Sequence, residues 1–224
     1  MRNRFFQWLW YAVIKWLITL TKEDIDNPVD HYYNRFIGQY QLALLFGGAK
    51  TIYFGDSNCE VSANLNAMQK FSKLTLNFGK GGSTAGNWVN FFQTKNGKKL
   101  YELIKDKTII INLPGNNVLQ KQMDSVVTDM QALIALFPSA WWCTIPPIRS
   151  WMFQAIDKQE DPEYWDRSVI ACNRIIKTLA GLRYIDIYQA LKDAPQAIYE
   201  ISLSDAVHFS YFAVGCIIRV IKHI

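Results

Sequence analysis

From residue 28 onward the chain alternates short β-rich runs with longer helical stretches, the pattern of a parallel sheet joined by crossover helices. Five strand candidates stand out: 51–54 (TIYF), 73–78 (KLTLNF), 108–113 (TIIINL), 140–145 (AWWCTI) and 183–187 (RYIDI). Such short, nearly continuous apolar runs suit strands covered on both faces. Between them, 118–137 and 162–179 carry apolar residues at three- and four-residue steps and read as crossover helices, with Pro138 and Gly181 as stops. Residues 210–221 read as another apolar helix. The expected fold class is therefore α/β. Ligands in such sheets bind at the carboxyl ends of the strands, so the chemistry is expected in the turns after the five runs.

Composition narrows the function classes. Half of the 224 residues are hydrophobic and 19% are charged, the balance of a packed globular protein. The net charge is only +5, and no basic face with interleaved aromatics appears, which argues against a nucleic-acid partner. The one lysine cluster, Lys95, Lys98 and Lys99 around Gly97, reads as a solvated turn, with an anion contact as the alternative. Cys59, Cys143, Cys172 and Cys216 have no metal-type spacing and sit in apolar surroundings, so they read as small buried hydrophobes.

Residues 5–20 (FFQWLWYAVIKWLITL) are nearly all apolar and follow Arg2 and Arg4. The run is interrupted by Lys15 and falls short of the roughly 20 clean residues of a spanning helix. Arg4, Gln7, Lys15, Thr19 and Lys22 fall near one stripe, and the tryptophans suit a headgroup interface. The division expected is an apolar or amphipathic N-terminal helix, 1–22, followed by one α/β domain, 23–224. An interfacial or anchoring helix is the reading these residues favour, making the protein membrane-associated on an unspecified side. A signal anchor and a helix packed on protein are the alternatives.

The turn after the first run reads Gly55-Asp56-Ser57-Asn58, which puts a serine where a strand hands over to a helix. A serine nucleophile needs a base, and the histidines are His31, His208 and His223. His208 follows Asp205 in SDAVH, a spacing at which a carboxylate can orient an imidazole. Capping of the final helix by Ser204 or Asp205 is the plainer alternative. Two further strand ends offer donors for an oxyanion: the glycine loop 77–84 (NFGKGGST) and Gly115-Asn116-Asn117. Each is equally what an ordinary turn looks like. Trp141, Trp142, Trp151 and Trp165 read mainly as core, with a pocket wall as the alternative.

Taken in chain order, these elements resemble the four sequence blocks of the GDSL/SGNH hydrolases, over roughly residues 50–215. The blocks are GDS around Ser57, the NxGxxGxT-like loop around Gly82, the GxN block ending at Asn117, and DxxH at Asp205 and His208. The resemblance implies a flavodoxin-like three-layer α/β/α domain with a five-stranded parallel sheet. It further implies Ser57 as nucleophile, His208 as general base and Asp205 as its orienting partner. The oxyanion hole would be the backbone N–H groups of Ser57 and Gly82 with the side-chain amide of Asn117, and no cofactor or metal is needed. The implied activity is cleavage of an acyl ester, short-chain or O-acetyl, on a small-molecule, carbohydrate or lipid substrate. Acyl transfer, or a non-catalytic membrane-docked protein on the same fold, are the alternatives. The chain departs from the family in one place, with Val118 where the third block usually has Asp. The 144–147 run (TIPP) also resembles the family's loop after the fourth strand.

Overall fold

The computed structural model describes residues 50–59, 75–147 and 162–194. The elements in chain order are β1 (Thr51–Gly55), a 3-10 turn (Ser57–Cys59), β2 (Thr75–Gly79), α1 (Ala85–Gln93), α2 (Lys95–Ile104) and β3 (Thr108–Asn112). They continue with α3 (Gly115–Leu119), α4 (Met123–Leu136), β4 (Trp141–Cys143), α5 (Pro162–Ala180), β5 (Tyr184–Ile185) and α6 (Ile187–Lys192). The strands form one parallel sheet in the order β2-β1-β3-β4-β5, so the stepping across the sheet switches direction after β2 and the switch point lies between β1 and β3. Every connection from β2 to β5 then steps the same way across the sheet. With right-handed crossovers, this stacks their helices on one face.

The register explains the core. Ile52 pairs with Ile109 and Phe54 with Ile111, and Ile111 pairs with Trp142, so these side chains share one face. All are buried in a single cluster with Trp88, Phe91 and Phe92 of α1, Met130 and Leu133 of α4, and Val169, Cys172 and Ile176 of α5. Phe54 sits at its centre, with ring centroids 4.7 Å from Trp88, 5.9 Å from Phe92 and 5.7 Å from Phe137. The alternate residues Tyr53, Ile110, Cys143 and Ile185 point to the other face and are buried as well. Both faces are thus covered, as a parallel sheet requires. Helices α1, α4 and α5 account for one helical layer, and the further apolar helix expected at 210–221 falls outside the described residues.

Two local expectations are corrected. The lysine cluster is not a turn: Lys95, Lys98 and Lys99 are exposed on α2, whose N-terminus is capped by the Thr94 hydroxyl accepting the Gly97 N–H at 3.0 Å. Gly97 is buried against the end of α1, where its backbone comes close to the Phe91 carbonyl. Residues 118–137 are not one helix either. Lys121 adopts a left-handed conformation (φ 56°), and the Gln122 N–H bonds the Asn117 carbonyl at 2.8 Å, closing α3 before α4 begins.

The N-terminal segment 5–20 lies outside the described residues. Among the described residues no helix is long and apolar enough to cross a membrane.

Candidate active site

Ser57 stands two residues beyond β1, at the carboxyl edge of the sheet, in the 3-10 turn. Asp56 builds that turn: its carboxylate accepts the Asn58 N–H at 2.9 Å and its carbonyl accepts the Cys59 N–H at 3.0 Å. Glycine is needed at 55 because β1 runs so close to β3 that a Cβ there would lie 2.1 Å from the Asn112 carbonyl oxygen.

The glycine loop is stitched to the same strand end. The Lys80 N–H donates to the Gly55 carbonyl at 3.1 Å, and the Ser83 hydroxyl donates to it at 3.4 Å. Gly82 turns the loop with φ +76°, a conformation glycine adopts without a steric penalty. Thr84 then caps α1 in a capping box with Asn87.

Helix α3 holds this loop from the third strand end. Asn116 donates from Nδ2 to the Ser83 carbonyl at 3.0 Å, and Gln120 donates from Nε2 to the Gly82 carbonyl at 2.7 Å. Asn117 is fully buried, and its Oδ1 accepts the Ala85 N–H at 2.9 Å, satisfying one orphan donor of the first turn of α1. Its Nδ2 is buried and has no partner among the described residues. A donor left unmade in this way costs on the order of 1–3 kcal/mol, so such groups stand out in a packed site.

Three of the four sequence blocks therefore meet at one edge of the sheet. Asp205 and His208 lie outside the described residues. Val118, in place of the family's Asp, is buried in the core and carries no polar role.

A cavity opens beside Ser57. Its described lining includes the polar Asp56, Asn58, Asn112 and Asn116 and the apolar Leu119, Ile145, Pro146 and Trp165. Trp165 is thus both core, at 4% exposed, and pocket wall. The Ile145-Pro146 stretch is fixed by Asn173 of α5, whose Oδ1 accepts the Ile145 N–H at 2.7 Å while its Nδ2 donates to the Ile145 carbonyl at 2.9 Å. Neither Asn173 nor Leu119 was singled out by the sequence; both lie inside helical runs where nothing marks one side chain as reaching the sheet edge.

Beneath the turn, burial pushes the thiols of Cys59 and Cys143 well up, with the Asp56 charge adding to the effect. Burial does the same to the Tyr53 hydroxyl. These thiols stay neutral near pH 7, so they do not compete with Ser57 as nucleophiles.

No protein-family model and no curated protein sequence matches the chain. Solved structures do. The lipase/acylhydrolase from Enterococcus faecalis is 17% identical, covers 78% of this chain and 96% of its own, and superposes with a TM-score of 0.57. A member of the lipolytic protein G-D-S-L family from Veillonella parvula DSM 2008 is 16% identical with the same coverages and the same TM-score. A lipase from a goat rumen metagenome is 18% identical over 77% of this chain and 96% of its own, with a TM-score of 0.55. The likeness is one of fold. It agrees with the family that the sequence blocks resemble.

Proposed function

We propose that the chain is a serine hydrolase of carboxylic esters with Ser57 as nucleophile. His208 takes the Ser57 proton as the hydroxyl attacks the acyl carbonyl, and Asp205 orients the imidazole and stabilises its charged form. The tetrahedral oxyanion is held by the backbone N–H groups of Ser57 and Gly82 and by Nδ2 of Asn117. Collapse breaks the ester C–O bond, with the proton passing from His208 to the leaving alcohol. Water, activated by the same histidine, then releases the acyl group as a carboxylic acid. The acyl groups intended are short, acetyl above all.

The observation that carries this reading is the cavity that Ser57 shares with Gly115 and Asn116 at the carboxyl edge of the sheet. Asn117, next in the chain, is bonded through its oxygen to the start of α1, and its buried nitrogen has no partner among the described residues. A carbonyl oxygen turning anionic is the ligand such an amide suits.

The test is labelling with a fluorophosphonate probe beside hydrolysis of p-nitrophenyl acetate, with Ser57→Ala as control. Both signals are expected and both should vanish in the variant. Folded wild-type protein that shows neither would sink the reading. Residues 5–20 we assign to a lipid surface: removing residues 1–22 should abolish liposome association, and unchanged binding would refute it.

A further inference from the structure

We infer that the apolar lining of the cavity beside Ser57 is a gauge of acyl length, with Leu119 and Trp165 as its specificity-determining residues; this rests on the hydrolase reading above. Leu119, Ile145, Pro146 and Trp165 line one cavity with Ser57.

The wall cannot easily retreat. Trp165 is buried in the main core cluster, where moving it would open a void among packed side chains. Ile145 is tied at both its N–H and its carbonyl by Asn173. Leu119, the last residue of the short helix α3, is only half-buried, so its side chain is the part of the wall that a substitution changes with least damage to the fold. The rest of the described lining is mostly polar and includes Asn116, and an alkyl chain laid against polar groups is less favourable than one laid against apolar side chains. An acyl chain in this cavity is therefore expected to lie against Leu119 and Trp165.

Each methylene beyond the space available should lower kcat/KM on the order of 10-fold or more. The measurement is kcat/KM across p-nitrophenyl acetate, propionate, butyrate, hexanoate and octanoate. Wild type should peak at acetate or propionate and fall steeply from butyrate onward. Leu119→Ala should move the peak about one or two carbons longer, and Leu119→Phe should shorten it so that only acetate is turned over well. Trp165→Phe removes bulk from the same lining and should shift the profile in the same direction as Leu119→Ala.

A labelled, active wild-type enzyme that hydrolyses octanoate as well as acetate would overturn the gauge while leaving the hydrolase reading standing. So would folded Leu119 and Trp165 variants whose profiles match wild type. Absence of both labelling and turnover at every chain length would overturn the two together.

Discussion

Asn117 and Ala85 are joined across the sheet edge: the side-chain oxygen of the first accepts the backbone N–H of the second at 2.9 Å, which orients the amide and leaves its nitrogen buried and without a partner among the described residues. The bond separates the two jobs of this side chain. Asn117→Asp keeps an acceptor for the first turn of α1, where a negative charge is favourable, but removes the donor and sets a charge beside the developing oxyanion. It should keep the bond to Ala85 while kcat falls by roughly 10²-fold or more, with KM little changed. Asn117→Leu removes both jobs and should in addition lower stability by about 1–3 kcal/mol, because the Ala85 N–H is left buried and unpaired. Steady-state kinetics beside urea unfolding of both variants makes the comparison. Wild-type kcat in Asn117→Asp would remove this amide from the oxyanion hole.

Asn173 acts at a distance from the chemistry. Holding Ile145 by both backbone groups, it fixes the loop that forms one side of the cavity. Asn173→Leu leaves a buried N–H and a buried carbonyl unmet and should cost about 2–4 kcal/mol. The released loop should also discriminate less between acyl chains, raising the ratio of octanoate to acetate turnover. A stability loss with an unchanged ratio would make Asn173 a purely structural residue.

At Gly55 the constraint is closeness. A methyl group there would stand 2.1 Å from the carbonyl oxygen of Asn112, a backbone atom that moves only if β1 and β3 separate. Gly55→Ala should therefore destabilise by about 3 kcal/mol or more, and should displace Ser57, which follows two residues on. Thermal unfolding and fluorophosphonate labelling read the two effects. A variant of wild-type stability would show that the strands part at little cost.

Much of this was legible in the sequence where the signal is local. The runs TIYF and TIIIN are β-branched and aromatic, and they became β1 and β3 as parallel strands buried on both faces. The glycine loop and the GxN turn fall at strand ends, and the fold bonds the loop to Gly55 and brings Gly115 and Asn116 to the cavity that Ser57 lines. What stayed hidden depends on contacts between segments far apart in the chain. Gly97 looked like a turn signal because nothing near it in sequence reveals the helix packing that buries it in α2. The break between α3 and α4 falls at Lys121, in a left-handed conformation that glycine usually marks, so the periodic apolar pattern ran through it unmarked. Asn173 and Leu119 are ordinary members of helical runs until α5 and α3 are set against the sheet edge.

The buried thiols predict how the protein responds to alkali. Burial pushes Cys172 up to about 12, and it raises Cys59 and Cys143 as well. In the unfolded chain a thiol ionises near pH 8.5, so between that pH and the folded value the unfolded state holds fewer protons. Stability is then fully present below about pH 8.5 and falls as pH rises towards 12, by at most about 1.4 kcal/mol per pH unit for each such thiol. The buried hydroxyl of Tyr53, also raised, steepens the loss above about pH 10. The urea midpoint should accordingly be level from pH 7 to 8 and drop progressively from pH 9 to 11, and Cys172→Ala should flatten part of that drop. A midpoint that stays constant to pH 11 would mean that these thiols ionise in the folded protein as readily as in the unfolded chain.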